Sequence, residues 1–181
     1  MGLKNPIFKD GTYFLTLTVV DWVDVFTRPA YRHIIIDSLA YCQQEKGLVL
    51  HAWVVMSNHI HMIASSKDDA SLSDILRDFK KFTSKKIVKA IEDEPESRRN
   101  WMLYRFEYAG SNDKKIKDYK FWQDGNEAKE LVTFEFTMQK LNYLHQNPVR
   151  AEIVDKAEDY RYSSAMDYAG GMGLLKVELL F

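Results

Sequence analysis

The sequence predicts an α+β fold in which helices pack on an antiparallel sheet. Three observations carry that expectation: a β-branched and aromatic run opening at Tyr13, two further strand-like runs separated only by Ser57-Asn58, and segments of helical apolar spacing between and after them. The composition agrees. A chain of 181 residues that is 46% hydrophobic and 28% charged, with 8 Gly and 4 Pro, can bury one core and does not fit the disordered or collagen-like classes.

Tyr13 to Val20 (Y-F-L-T-L-T-V-V) alternates Phe14 and Thr16 with Leu15, Leu17 and Val19, as a strand does. After the Arg28-Pro29 turn, Ile34, Ile35, Leu39 and Cys42 recur at helical spacing up to Lys46, and Gly47 supplies a left-handed stop. Leu48 to Met56 and His59 to Ala64 form a β-hairpin around a two-residue turn. Ser71 is the N-cap of a helix carried to about Ile91 by Leu72, Ile75, Leu76, Phe79 and Ile87, and the acidic stretch Glu92 to Glu96 ends it. Trp101 to Tyr108 and Lys120 to Gln123 are expected as short strands, divided by a polar, flexible loop from Gly110 to Asp118. Phe134, Met138, Leu141 and Leu144 mark a last long helix, expected to end near Asn147 because Pro148 disfavours α geometry in the residue before it. The tail is expected as short irregular pieces with a β-like end. This order of strand, helix, hairpin, helix, strand, helix suggests a ferredoxin-like sheet within a single domain over 1–181, with a core of about 8–155 and a C-terminal extension over 156–181.

Several classes are set aside by counting. The single cysteine, Cys42, cannot form an internal disulfide or a cysteine-based zinc framework, so a reducing, cytoplasmic setting is expected. The N-terminus lacks an apolar run and no stretch is long enough to span a bilayer, so neither a signal peptide nor a membrane partner is expected. A net charge of −1 excludes whole-surface attraction to nucleic acid but leaves room for a local basic stripe.

His59 and His61 are two apart on a strand, so they share a face, with about 7 Å between their α-carbons. They can ligate one metal ion or be an ordinary half-buried pair. Two imidazoles with oxygen donors and open positions suit manganese or magnesium in phosphate chemistry. A strand His-x-His-x-His of the nucleotide-hydrolase type is excluded, because Ile63 holds the third position. Tyr143 and Asn147, four apart, lie on one helical face and place a phenol beside a side-chain carbonyl oxygen. A tyrosine nucleophile attacking a phosphodiester needs a cation beside the phosphate, which a metal on the histidines would supply. Arg77, Lys81, Lys85 and Lys89 follow at i+4 intervals, joined by Lys80 and Lys86; Ser71 to Ala90 holds six basic and two acidic residues, a local +4. Such a stripe suits a phosphate backbone, and equally a solvated helix face.

The runs V-V-M-S-N-H-I-H-M-I (Val54 to Ile63), Y-L-H-Q-N-P-V-R-A-E-I-V (Tyr143 to Val154) and E-D-Y-R-Y-S-S-A (Glu158 to Ala165) resemble the single-tyrosine HUH transposases, specifically the REP-associated tyrosine transposases. With the Tyr13 strand, the basic helix and Phe121-Trp122-Gln123, the resemblance spans about residues 8 to 170. It implies a ferredoxin-like endonuclease that cleaves and rejoins single-stranded, hairpin-forming DNA through a 5′-phosphotyrosine, using Mg2+ or Mn2+. Tyr143 matches the nucleophile, His59 and His61 the metal ligands, and Asn147 the amide that completes the metal site. Arg77, Lys80, Lys81, Lys85, Lys86, Lys89 and Arg150 would face DNA, and Trp122 would pack rather than stack. Relatives occur as monomers and dimers, so a homodimer is compatible, as is a nucleoid-associated location when DNA is bound. Glu127 stands where many relatives carry histidine, and the acidic run around Glu92 is unusual for a DNA enzyme. The alternative is a hairpin-binding or regulatory protein that no longer cuts.

Overall fold

The computed structural model describes residues 7–8, 10–67, 69–111, 118–125 and 127–181. Four strands form one sheet in the order β2-β3-β1-β4, where β1 is Tyr13–Thr18, β2 Leu48–Val55, β3 His59–Ser66 and β4 Lys129–Glu130. The described pairings are antiparallel, and β1 sits between β3 and the short β4. Helix α1 (Pro29–Glu45) links β1 to β2, and α2 (Leu72–Asp93) with α3 (Arg99–Ser111) links β3 to β4. Helix α4 (Phe134–Arg150) and the short α5 (Ala165–Tyr168) complete the chain, which gives the expected ferredoxin-like α+β arrangement.

The sheet's two faces follow from strand alternation. Leu15, Leu17, Ile60 and Met62 point to one side and are fully buried beneath α1 and α2, whose own buried residues include Ile35, Leu39, Ile75 and Phe79. Phe14, Thr16 and Thr18 point to the other side, opposite Ile63, His61 and His59 in register. Helix α4 lies on that second face and brings Tyr143 edge-on to Phe14. At the outer edge of β2, Tyr162, Ser163 and Ser164 pair with Val55, Val54 and Trp53, and the Glu178 N–H donates to the Leu50 carbonyl. The C-terminal extension thereby covers an edge strand that would otherwise expose unpaired peptide groups.

The local signals at the expected helix ends are present. Gly47 has φ +74° after α1, and the Ser71 hydroxyl accepts from the Asp74 N–H at the start of α2. Two expectations are corrected. Trp101 to Tyr108 is not a strand but the body of α3, because Met102 and Phe106 are both fully buried one helical turn apart while Trp101, Tyr104 and Tyr108 face outward. The run is dense in aromatics, as strands often are, but the period of its buried residues is helical. Helix α4 passes through Pro148 to Arg150, because Pro148 is buried and the later carbonyls still find donors: Asn147 O accepts from Ala151 N, and Pro148 O from Ile153 N. Lys120 to Gln123 is extended as expected, but makes only a bridge between Trp122 and Val19. Of the expected loop Gly110 to Asp118, residues 112–117 lie outside the described residues, and Gly110 and Ser111 close α3. Among the described residues no helix is long and apolar enough to cross a membrane.

His145 ties α4 to the extension: its Nε2 lies 2.9 Å from Ser164 Oγ and its ring packs edge-on to Tyr168. Burial pulls its pKa down to about 4. An unfolded histidine takes up its proton near pH 6.5, so between these values the unfolded chain binds more protons and stability falls as the pH drops. The unfolding free energy measured between pH 6.5 and 4 is expected to lose about 1.4 kcal/mol per pH unit from this residue, and His145→Gln should flatten the slope by that amount.

Candidate active site

The hairpin turn that precedes β3 is held from outside. Ser57 O accepts from Phe26 N and Asn58 O from Val19 N, so the loop after β1 clamps the turn and fixes the start of β3. His59 and His61 then emerge on the α4 side of the sheet with ring centroids 4.7 Å apart. The expected shared face is therefore present, and both rings line one cleft of 380 Å³ with Tyr143 and Asn147.

Each imidazole is oriented by a neighbour. His59 Nδ1 sits 2.7 Å from Asn58 Oδ1, an acceptor, so Nδ1 carries the proton and Nε2 the lone pair. His61 Nδ1 is 3.0 Å from Thr16 Oγ1, its cross-strand partner, while its Nε2 is buried and has no hydrogen-bond partner. With the Thr16 hydroxyl as acceptor, His61 Nε2 likewise presents a lone pair. Burial, and secondarily the charges of His59 and Lys140, push His61 down to about 3, and burial lowers His59 as well. Both rings are thus held neutral, the state that a metal ligand requires.

Helix α4 supplies the opposing wall. The Tyr143 ring lies 5.4 Å from the His61 ring, and Asn147 Nδ2 donates to the Tyr143 carbonyl, which leaves Asn147 Oδ1 as an acceptor. Two imidazole nitrogens and an amide oxygen form a donor set for a divalent ion with open positions. Among the described residues no three His, Cys, Asp or Glu side chains gather at metal-binding spacing, so a closed site of those ligands is not formed.

Sequence reasoning missed several cleft residues. Lys140 lies over the Tyr143 ring at 5.6 Å and over Phe14 at 5.4 Å, where it joins Arg150, expected to face DNA, which lies over the Tyr143 ring at 5.3 Å. Lys140 was legible in principle, since it stands three residues before Tyr143 on the same helical face. Desolvation, with Lys129 nearby, lowers its pKa. Thr16, Thr18 and Trp22 also line the cleft, as do Gln123, Glu127 and Lys129. Thr16 could be found only by knowing the β1–β3 register. Trp122, by contrast, is packed, with its Nε1 donating to Thr83 Oγ1.

The basic residues of α2 do not act as one stripe. Lys80 is turned inward, and its Nζ donates to the carbonyls of Gln123 (2.9 Å) and Gly125 (2.8 Å) behind the cleft. Burial lowers its pKa to about 8. Arg77 is tied to Asp74 and Asp78, and Lys89 to Asp93 at 2.8 Å. Lys81, Lys85 and Lys86 are exposed and make no ion pair among the described residues, with Lys86 over the Phe82 ring. These three border the α1–α2 groove, on the side of the sheet away from the histidines. Only Arg150 of the expected DNA-facing residues reaches the cleft side, against Tyr143.

One loop beside the cleft is strained. Asp21 and Trp22 both adopt positive φ, 53° and 55°, a conformation that costs a non-glycine residue about 1–2 kcal/mol. The Asp21 carboxylate pairs with Arg105 at 2.8 Å, and Asn58 Nδ2 donates to the Trp22 carbonyl.

The described cleft is thus a ferredoxin-like sheet that presents two oriented histidines to a helix-borne tyrosine of the same chain. The chain belongs to the IS200-like transposases, DNA-processing enzymes, whose family description it matches over residues 10–119. That match ends before α4, so Tyr143 and Asn147 join the site by geometry. The fold is similar to that of a REP-associated tyrosine transposase solved bound to a REP hairpin, with a TM-score of 0.60, 20% identity, and coverage of 100% of this chain and 93% of the other. A candidate transposase from Deinococcus radiodurans R1 is similar at a TM-score of 0.44 and 13% identity, covering 81% of this chain and 97% of the other. No curated protein matches the sequence.

Because Lys80 is structural, Lys80→Met is expected to lower stability by about 2–3 kcal/mol in urea unfolding, the value of charged hydrogen bonds lost from a buried site. Lys85→Met should stay within about 0.5 kcal/mol of the parent.

Proposed function

We propose that this protein is a tyrosine transposase of the REP-associated type, which cleaves and rejoins single-stranded DNA beside a hairpin. The observation that carries the reading is the meeting of His61 and Tyr143, 82 positions apart in sequence, with ring centroids 5.4 Å apart in one cleft that His59 and Asn147 also line.

In this reading Tyr143 Oη attacks the phosphorus, the bond from phosphorus to the 3′-oxygen breaks, and the strand's 5′-phosphate remains joined to the tyrosine. The phenol proton leaves to water, and the departing 3′-oxygen becomes a hydroxyl. Attack by an incoming 3′-hydroxyl reverses these bonds and restores the phenol. His59, His61 and Asn147 would hold Mg2+ or Mn2+, which when bound supplies positive charge at the non-bridging oxygens and the leaving oxygen. Lys140 and Arg150 flank the phenol and add fixed cations for the phosphate. Asn58 and Thr16 keep the imidazoles aimed, and Asn147 is steadied by its bond to the Tyr143 carbonyl. The His61 Nε2, buried in the cleft without a hydrogen-bond partner, supports a metal-holding site over a surface that only binds DNA.

Lys81, Lys85 and Lys86 supply a second phosphate-binding surface. Because they lie across the sheet from the cleft, they contact a different part of the same DNA than the scissile phosphate does. A homodimer is compatible with this reading but not required by it, since the described cleft is built from one chain.

Incubation with single strands of the repeat palindromes flanking its own gene, plus Mn2+, is expected to give a protein-linked DNA that denaturing gels retain. Tyr143→Phe should abolish the adduct while hairpin binding survives, and chelation should abolish it in the parent. An adduct persisting in Tyr143→Phe would move the nucleophile elsewhere. Thr16→Val, which removes the partner of His61 Nδ1, should weaken Mn2+ binding by calorimetry about 10- to 100-fold. Charge reversal of Lys81 and Lys85 together is expected to weaken hairpin binding and to flatten its dependence on salt.

A further inference from the structure

Trp22 combines features that ordinary packing does not explain. It is 61% exposed, although tryptophan is on average a highly buried residue. Its backbone is nonetheless held in the left-handed region, at φ 55°, next to another positive-φ residue, Asp21. The loop is anchored on three sides: Arg105 pairs with Asp21, Asn58 Nδ2 donates to the Trp22 carbonyl at 3.2 Å, and Trp22 N donates to Val19 O. The result aims an exposed indole at the cleft, with its ring centroid 6.3 Å from that of His59. Trp53 and Trp122 are buried, and Trp101 lies on α3, so among the described residues Trp22 is the tryptophan that lines the cleft. Lys129 and Lys140 line the same cleft and can hold a backbone while the indole takes a base.

We propose that Trp22 is the stacking platform for the unpaired base next to the phosphate that Tyr143 attacks. An indole face beside fixed cations is the arrangement by which single strands are held without reading hydrogen bonds, so the contact positions the strand and tolerates several bases. The strain is the structural price of keeping that face outside the core. This inference rests on the single-stranded DNA reading above and adds the residue that seats the strand.

The test uses the full chain carrying Tyr143→Phe, so that binding is read without covalent trapping. The probes are fluorescein-labelled palindromic hairpins from the repeats flanking its own gene, with and without four-nucleotide single-stranded tails, and the same tails with an abasic site at each position in turn. Trp22→Ala is expected to lose affinity for tailed hairpin on the order of ten-fold, with affinity for the tailless hairpin unchanged, and Trp22→Phe should keep most of the difference. One abasic position should cost the Trp22 protein that same factor and cost Trp22→Ala nothing further. Trp22→Gly, which relieves the left-handed backbone, should raise the melting temperature while losing tail affinity, separating the stacking role from a structural one. Equal weakening on both probes, no weakening, or a parent that gains nothing from the tails would overturn the proposal. If tail affinity proves independent of Trp22 while Tyr143 still forms its DNA adduct, stacking fails and the cleavage chemistry stands; if tail binding depends on Trp22 but no adduct forms, the reverse holds.

Discussion

The pairing of β1 with β3 is the constraint on which the molecule rests. Thr16 opposite His61 and Thr18 opposite His59 set which side chains face α4 and which face α1 and α2. A slip of one residue would turn Leu15 and Leu17 out of the core and send Thr16 into it. Leu15, Leu17, Ile60 and Met62 are fully buried, and each is worth roughly 1.5–3 kcal/mol of burial, so a slipped register forfeits a sum comparable to a whole domain's stability. The hydrophobic layer on one face thereby fixes the histidine geometry on the other.

On that second face the protein accepts unfavourable terms that the core offsets. His61 is 5% exposed with an unpartnered nitrogen, and it is held neutral beside Lys140. Trp22 and Asp21 sit in strained backbone at the same cleft. Such costs gather where a fold has been arranged for chemistry, because a group that is fully satisfied in the resting protein has nothing left to offer a ligand. On the inner face the described residues show one comparable concession, the indole Nε1 of Trp53, which is buried opposite Met62 without a hydrogen-bond partner.

The polar framework around the cleft is built mostly from backbone groups. Ser57 and Asn58 carbonyls are held by Phe26 and Val19, while Lys80 gathers the Gln123 and Gly125 carbonyls. A lysine that reads as part of a basic stripe is therefore a strut for the loop beside the site. Its neighbours Arg77 and Lys89 spend their charge on adjacent carboxylates, so the basic character of α2 is concentrated at Lys81, Lys85 and Lys86.

By itself the sequence determined the features that depend on near neighbours. The alternation at Tyr13 to Thr18, the two-residue turn at Ser57-Asn58, the Ser71 cap and the Gly47 stop are local, and so are the shared faces of His59 with His61 and of Tyr143 with Asn147. Local pattern failed where composition and period disagreed, as in α3, and where tertiary burial outweighed a local penalty, as at Pro148. Only the tertiary structure decided that the two pairs meet, that Thr16 stands behind His61, that Lys140 and Arg150 flank the phenol, and that Lys80 points inward. Those contacts join residues far apart in the chain, and they are fixed by sheet register and by the seating of α4, which arise from burying both faces at once rather than from any short run of residues.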